Sequence, residues 1–354
     1  MNILKTSNNT RLFDRKSFKT TLIILSLGLS QQAMSAEKLR LYNWGDYINP
    51  KVLEKFTAET GIEVGLDTYS SNEEMLAKLQ AGATGYDIVF PSVHMQDILF
   101  QLNLLEKTDI NKSPGFKHID TNFLNAKTDP NGEYCLPYGW GTVGIVYNKK
   151  LAGSVESWDD FFNLGKQGKK IAMLDDMREV IAIGLLKNGK SINSTNRDDL
   201  ELAQKFILEQ KPNISSFTYD SPSLVQSGDL AAAQWYVGSL NYVFQTPDEM
   251  AYVIPKEGAT MYQENMCVLK SAPNKSNAKK FLTFFTQPEI AALNTKQQMN
   301  GTANKDAVPL LPDSIRTNES INPPEEVREK LEIFTELGRG IKLYDRIWTK
   351  IRTY

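Results

Sequence analysis

The chain has 354 residues, of which 41% are hydrophobic and 23% charged, and this composition excludes a disordered or fibrous protein. Its formal net charge of −2, without a basic cluster, argues against nucleic-acid binding. The two histidines, His94 and His118, have no Cys, His or carboxylate neighbour at metal-ligand spacing, so we expect neither a metal nor another cofactor.

Residues 1–36 have the pattern of a secretory signal peptide. Five basic residues precede an uncharged, largely apolar run over residues 20–30, and small residues follow, so cleavage after Ser35 or after Ala36 fits the pattern. The run is too short to span a bilayer, and no later stretch approaches the roughly 20 apolar residues of a membrane helix. We therefore expect an exported chain without membrane insertion. The segment also holds one acidic residue, so its removal leaves a net charge near −6.

About 318 residues remain after the predicted signal peptide, which is more than one hydrophobic core usually supports. The size therefore predicts two lobes. Cys135 and Cys267 are the only cysteines in the sequence. An oxidising compartment permits a disulfide between them, but the sequence alone is equally compatible with two buried thiols.

The N-terminal part of the chain alternates between predicted strands and helices. The first helix begins with Pro50 in its first turn and ends before Gly61. Ser71-Asn72-Glu73-Glu74 is a capping-box pattern that predicts the start of the second helix. Three strands joined by two helices predict a parallel sheet with right-handed crossovers, whose C-terminal edge is the binding face. The predicted elements are strand Leu39–Tyr42, helix Pro50–Thr60, strand Ile62–Leu66, the helix after Ser71 and strand Ile88–Phe90.

A long extended segment, Tyr134–Asn148, is rich in glycine, aromatic and β-branched residues, and we interpret it as a strand that crosses between the lobes. Tyr262–Lys270 is the candidate for the strand that crosses back. The other predicted elements are strands Lys170–Leu174, Leu230–Tyr236 and Ala251–Ile254, and helices reaching about Asn188, from about Arg197 to Gln210, over Ser276–Phe285, from Pro323 and from about Leu343.

The loop after the first strand combines two rings and a carboxylate, those of Trp44, Tyr47 and Asp46. Aromatic faces and carboxylates together hold ammonium groups, so this loop is a candidate cation site. The alternative is an ordinary turn whose aromatic residues pack against the edge of the sheet.

Asp176 and Glu179 lie three residues apart at the start of a predicted helix, so both can project from its first turn. The same spacing also fits a purely structural capping box. Tyr262 and Glu264 are two apart, so they share one face if the segment is a strand. Trp235 and Tyr236 are adjacent, so in a strand their side chains point to opposite faces and only one of them can face the binding site.

Two features of the sequence suggest catalysis, and each has a non-catalytic alternative. Gly184–Ser191 matches the phosphate-loop pattern, but it lies at the end of a predicted helix, where Gly189 suits the position after the last turn. His94 follows the third strand and is placed to act as a base, yet a polar residue in a binding loop explains it equally well. Other catalytic signatures are missing from the sequence.

Seven motifs, in order and spacing, make the chain resemble the spermidine/putrescine-binding periplasmic proteins of bacterial ABC importers. The resemblance runs from Leu39 to about the last helix. The motifs are Tyr42–Tyr47, Glu59–Ile62, Ser71–Glu73, Tyr86–Ser92, Leu136–Trp140, Asp176–Val180 and Ile254–Gly258.

The resemblance implies an α/β, two-lobed periplasmic-binding-protein fold of type II. Each lobe holds a mixed, mainly parallel sheet flanked by helices, and crossover strands form the hinge. We expect one lobe to comprise residues 37–138 plus about 262–304, and the other about 139–261 plus 305–354. The resemblance also selects Tyr236 over Trp235. The residues expected to bind ligand are Trp44, Asp46, Tyr47, Ser92, His94, Asp176, Glu179, Tyr236, Tyr262 and Glu264.

The resemblance further implies a monomeric periplasmic protein that delivers spermidine or putrescine to inner-membrane ABC permease subunits and catalyses no reaction. Three positions depart from the family pattern: His94, Asn300 and Phe334. His94 and Asn300 leave open another cationic amine or amino acid as cargo. A separate alternative is a sensor whose closed form acts on a receptor.

Overall fold

The computed structural model describes residues 37–353, so the predicted signal peptide lies outside the described residues. None of the described helices combines the length and apolar character that a membrane crossing requires. The strands are β1 Lys38–Trp44, β2 Glu63–Tyr69, β3 Ile88–Val89, β4 Cys135–Asn148, β5 Ile171–Met173, β6 Ser216–Phe217, β7 Ala232–Tyr236, β8 Met250–Val253, β9 Ala259–Val268, β10 Gly301–Thr302 and β11 Leu331–Ile333. The helices are α1 Pro50–Thr60, α2 Asn72–Gln80, α3 Val93–Gln101, α4 Lys149–Ala152, α5 Trp158–Lys166, α6 Met177–Lys187, α7 Arg197–Gln210, α8 Ser221–Ser227, α9 Leu240–Val243, α10 Lys275–Phe285, α11 Pro288–Gln298, α12 Asp313–Arg316, α13 Glu325–Arg328 and α14 Ile341–Thr353.

The capping residues of α1 and α2 explain why these two helices could be predicted from the sequence. The Asn49 side chain accepts a hydrogen bond from the Lys51 backbone N–H at 3.0 Å, and Gly61 ends α1 with a φ of 72°, a left-handed conformation that glycine adopts without strain. The Ser71 hydroxyl accepts from the Glu74 backbone N–H at 3.1 Å and begins α2. Both helix predictions are confirmed.

The described strands form one connected sheet in the order β2-β1-β3-β9-β4-β7-β5-β6, with β8 and β10 paired to β4 and β11 paired to β9. The pairs β1–β2 and β1–β3 are parallel, as predicted, and so are β5–β6 and β5–β7. Antiparallel β9 and β4 separate these two parallel groups. The sheet is therefore mixed, and each parallel group forms the centre of one lobe.

The long strands β4 and β9 run through both lobes and pair with each other from Cys135 opposite Cys267 to Val143 opposite Thr260. Their first contacts lie beside β3 and β10, and their last contacts lie beside β7, β8 and β11. Both segments had been predicted to cross between lobes. The strand β9 begins at Ala259 instead of Tyr262, and the exact limits of the lobes stay a prediction.

One hydrophobic cluster fills the first lobe and continues into the second, where it includes Val225 and Met250, and another lies within the second lobe. In the first lobe the larger cluster includes Leu41, Phe56 and Phe281, and the other cluster includes Trp158 and Phe161. All five side chains are fully buried, as expected of core residues that together bury several hundred Å². The second lobe therefore has a core of its own, while the larger cluster is shared by both lobes.

Cys135 and Cys267 form a disulfide, with their Cα atoms 4.5 Å apart. The sequence had left a disulfide and two free thiols open, because the register that places the residues opposite each other depends on long-range pairing of β4 and β9. The bond joins the crossing strands at the first-lobe end of their shared ladder.

The phosphate-loop pattern at Gly184–Ser191 lies inside and just after α6, so it is not a phosphate-binding loop. Gly184 has a packing role, because a Cβ atom there would lie 2.7 Å from the carbonyl oxygen of Ala203 in α7. Gly189 has a φ of 64° and follows the end of the helix, as the sequence predicted.

The helices α3, α5 and α11 were not predicted, and the helix expected from Pro323 is only the single turn α13, Glu325–Arg328. The first turn of α3 has no capping side chain, whereas sequence reasoning passed over two signals, the Ser157 cap of α5 and Pro288 at the start of α11.

Candidate functional site

Glu264 on β9 lies at one end of the candidate site, here called the Glu264 end. The Tyr47 hydroxyl donates to Glu264 Oε2 at 2.8 Å, and the Ser92 hydroxyl lies 3.3 Å from Glu264 Oε1. Asn300 Nδ2 donates to the Tyr47 hydroxyl oxygen at 2.9 Å, and Asn72 Nδ2 donates to the Ser92 hydroxyl oxygen at 3.1 Å. Fixed donors therefore hold both carboxylate oxygens of a residue that is only 5% exposed.

The aromatic residues at the end of β1, Tyr42 and Trp44, have different surroundings from Tyr47. The Trp44 indole N–H donates to the Phe90 carbonyl at 2.8 Å, and the Trp44 ring packs 4.7 Å from Tyr69. Tyr42 is fully buried and stacks on a neighbouring tyrosine, so it packs the sheet. Asp46 is exposed and has a φ of 54°, so the turn directs its carboxylate toward solvent rather than into the interior.

Asp176 and Glu179 form the opposite end, here called the acidic-pair end, at the start of α6. Asp176 Oδ1 accepts hydrogen bonds from the backbone N–H groups of Arg178 and Glu179, at 2.8 and 3.0 Å, so it caps the helix. Glu179 is 4% exposed, and its Oε2 accepts from the Thr260 hydroxyl at 2.7 Å. The capping interpretation of this motif is thus correct for Asp176, whereas the Glu179 side chain takes no part in the cap and bonds to Thr260 of β9 instead.

The rings of Tyr236 and Tyr262 lie between the two ends, edge to face with centroids 5.5 Å apart. Burial, and after it the charges of Asp176, Glu179 and Glu264 among other groups, raises the pKa of Tyr236. Both carboxylate ends are therefore within electrostatic range of one phenol. Room for the Tyr262 ring depends on a glycine on β4, because a Cβ atom on Gly141 would lie 2.4 Å from its hydroxyl oxygen.

Burial shifts the carboxyl groups toward their neutral form. It raises the pKa of Glu264 to about 8, although hydrogen bonds from Tyr47 and Ser92 act in the opposite direction. Burial, and after it the Asp176 carboxylate, raises the pKa of Glu179 to about 8. An ionised carboxylate in such surroundings is costly unless a cation pairs with it. The arrangement therefore favours a ligand with positive groups near both ends.

Comparison with known proteins agrees with this geometry. The family described as bacterial extracellular solute-binding protein matches residues 51–323. The chain belongs to this family. A putrescine-binding periplasmic protein of Pseudomonas aeruginosa is 34% identical, over 96% of this chain and 99% of its own length. A spermidine/putrescine-binding periplasmic protein of Escherichia coli is 32% identical, over 93% of this chain and 95% of its own length.

A solved structure extends the likeness of this solute-binding protein to three dimensions. The spermidine/putrescine ABC transporter substrate-binding protein of Streptococcus pneumoniae has a TM-score of 0.80 and 32% identity, covering 90% of this chain and 99% of its own. The two-lobed type II fold that the sequence predicted is thereby supported along nearly all of the described chain.

His94 lies in the first turn of α3, two residues after Ser92. Its ring meets the Phe334 ring edge-on, with centroids 6.3 Å apart. Burial, and after it the Arg178 guanidinium, lowers the pKa of His94 to about 3, so the imidazole is neutral at physiological pH. His94 is therefore uncharged at physiological pH and does not repel a cation near its ring; its contact with ligand stays a prediction.

Sequence reasoning missed two residues that contact the predicted site. Thr260 lies on the same face of β9 as Tyr262 and Glu264, and the period-2 spacing was sufficient to find it. Tyr219 lies between α6 and β7, where its hydroxyl is 3.4 Å from Asp176 Oδ2 and its ring is 6.2 Å from that of Trp235. No local pattern marks Tyr219, because it belongs to an irregular loop.

Within residues 37–353 no three His, Cys, Asp or Glu side chains are grouped as metal ligands. The buried acidic residues of the solute-binding site are separated by rings and hydroxyl groups. A hard metal ion prefers a compact shell of oxygen ligands. The geometry fits an elongated organic cation better than a metal ion.

Proposed function

We propose that this solute-binding protein captures a polyamine, spermidine or putrescine, between its two lobes. The observation that carries the proposal is the pair of acidic ends, buried Glu264 and the pair of half-buried Asp176 and buried Glu179, with the rings of Tyr236 and Tyr262 between them. A polyamine has ammonium groups joined by short apolar chains. Its ends satisfy the carboxylates, and its methylene groups pack against aromatic faces.

The names of the relatives support the same ligand class. We further propose that the protein acts in the periplasm after export by residues 1–36, as a monomer, and delivers its ligand to ABC permease subunits in the inner membrane. No chemical step is required of the site. Its residues bind and orient the ligand, and closure of the lobes removes the ligand from water.

The test is calorimetric titration of the protein without residues 1–36. Putrescine, spermidine, spermine and cadaverine are compared with neutral amino acids and sugars. We expect sub-millimolar binding of at least one polyamine and none of the neutral compounds. We also expect markedly weaker binding in Glu179→Gln, which keeps the shape of the side chain but removes its charge. Unchanged affinity in that variant, or no polyamine binding at all, would overturn the proposal.

A further inference from the structure

The segment Leu331–Glu336, here called the strap, contacts both lobes beside the candidate site. Its strand β11 pairs in parallel with Ala259–Met261 of β9. On the second lobe, Asn193 Nδ2 donates to the Ile333 carbonyl at 2.9 Å, and Asn193 Oδ1 accepts from the Thr335 backbone N–H at 2.9 Å. The strap is therefore anchored firmly to the second lobe.

Phe334 makes the first contact of the strap with the other lobe. The Arg178 guanidinium lies 4.3 Å from the centre of its ring, and His94 of α3 meets the ring edge-on at 6.3 Å. The side chain is 8% exposed and packs in a small apolar cluster with Ala182 and Ile192 of the second lobe. The second lobe therefore contributes most of the surroundings of Phe334, and His94 is its contact with the first lobe.

Glu336 makes the second contact. Its Oε2 lies 3.7 Å from Lys127 Nζ, which is also 3.7 Å from Asp97 Oδ2 of α3. Asn125 Nδ2 donates to Asp97 Oδ1 at 2.8 Å, so the turn that carries Lys127 is tied to the first lobe. The ion pair thus joins the strap to the lobe that does not anchor it.

We propose that the strap holds the cleft closed over its ligand and sets the rate of ligand release. Phe334 and Glu336 act as positioning residues that need not touch the ligand. The inference rests on the proposed function, because it concerns the release of that ligand. A contact that forms only in the closed protein favours closure by its own free energy. Its loss therefore speeds release and leaves the rate of first encounter unchanged.

The expected effects follow from the kind of contact. Loss of an aromatic edge contact in Phe334→Ala raises the release rate about fivefold. Loss of a half-exposed ion pair in Glu336→Gln raises it about twofold, and high salt removes that difference. Lys127→Gln removes the same ion pair from the other lobe, so the double variant Lys127→Gln with Glu336→Gln should release no faster than either single variant.

Glu332→Gln is the matched control. Glu332 belongs to the same strap, but its carboxylate accepts hydrogen bonds only from Ser191 and the Ile192 backbone N–H of the second lobe, at 2.5 and 3.3 Å. We therefore expect this variant to change thermal stability and to leave the release rate unchanged. Unlike Phe334→Ala and Glu336→Gln, the Glu332→Gln variant leaves the contacts between the lobes intact.

The experiment is stopped-flow fluorescence of putrescine binding and release, with the melting temperature of each ligand-free variant measured alongside. Faster release in Phe334→Ala and Glu336→Gln, with unchanged association rates and an unchanged melting temperature in Glu336→Gln, supports the proposal; Phe334→Ala also melts lower because it removes a buried ring. Equal effects of Glu336→Gln and Glu332→Gln, or no effect of Phe334→Ala, overturn it. If no polyamine binds the wild type, the proposed function fails.

Small-angle scattering of the ligand-free protein then tests whether the strap holds the lobes together. We expect a larger radius of gyration in Phe334→Ala than in the wild type, and equal values overturn the proposal.

Discussion

The two ends of the candidate site hold their carboxylates in different ways. At the Glu264 end, the hydroxyl groups of Tyr47 and Ser92 hold a single carboxylate, and Asn300 and Asn72 hold those hydroxyl groups in turn. At the acidic-pair end, Glu179 accepts a hydrogen bond from Thr260, and one carboxylate oxygen of Asp176 caps the N-terminus of α6.

The difference indicates that the two ends do different work. A carboxylate held by a network of side chains is preorganised for one ammonium group in one position, which lowers the cost of ordering on binding. Two neighbouring carboxylates with fewer partners can accept an ammonium group over a wider range of positions. We expect the Glu264 end to fix one end of the ligand and the acidic-pair end to accommodate differences in length.

Removing the charge at the fixed end should have the largest effect. Glu264→Gln is expected to weaken polyamine binding by about 100-fold, because it removes a buried counter-charge worth about 3 kcal/mol. Asp46→Asn is the control, since Asp46 is exposed and its charge is screened by water. That variant should lose no more than about threefold by calorimetry, and a larger loss than in Glu264→Gln would reverse the comparison.

A smaller loss is expected at the acidic-pair end, because the remaining carboxylate takes over part of the work. Glu179→Gln should weaken binding about 30-fold and Asp176→Asn about tenfold, corresponding to about 2 and 1.4 kcal/mol. Asn is a good helix cap, so Asp176→Asn isolates the charge from the structural role of Asp176. Equal losses at both ends, measured with the same ligand, would remove the distinction between them.

Loss of one supporting hydroxyl should matter less than loss of a charge. Tyr47→Phe removes the hydrogen bond to Glu264 and keeps the ring, so we expect about a fivefold loss of affinity, or about 1 kcal/mol. Thr260→Val is the corresponding change at the acidic-pair end and should cost less, because Glu179 lies in the more adaptable surroundings. A larger effect of Thr260→Val than of Tyr47→Phe would contradict the preorganised fixed end.

The raised pKa values of Glu179 and Glu264, one at each end, should together make the melting temperature depend on pH by a few degrees. Both Glu179 and Glu264 have pKa values near 8 in the folded protein and an ordinary value of 4.5. Between these values the folded protein binds more protons than the unfolded chain, so the free energy of unfolding falls as pH rises from about 4.5 to about 8.

A bound polyamine reverses this trend, because its ammonium groups favour the ionised carboxylates and release their protons. The stabilisation by putrescine should therefore grow between pH 6 and pH 8. Thermal melting with and without putrescine measures it, with the double variant Glu179→Gln and Glu264→Gln as the reference. Identical pH profiles of ligand-free wild type and double variant would contradict the raised pKa values.

Local patterns were sufficient to predict much of the fold. The caps around α1 and α2 and the alternation in β9 depend on residues close in sequence, so the elements and the shared face of Tyr262 and Glu264 followed from the sequence. The helix α6 was also predicted from its cap at Asp176 and from Gly189 after its end.

Other parts of the site depend on contacts between distant residues. The Phe334–His94 contact joins positions 240 residues apart, and no local pattern encodes it. The exposure of Asp46 depends on a left-handed turn that the sequence did not reveal. The disulfide likewise depends on the register of β4 and β9.

The most direct test of the central claim is a crystal structure of the protein with putrescine bound. We predict one ammonium group within about 3 Å of the Glu264 carboxylate and the other within about 3 Å of the Glu179 or Asp176 carboxylate. The methylene chain should lie against the rings of Tyr236 and Tyr262. A putrescine molecule that contacts neither Glu264 nor the acidic pair would contradict the account.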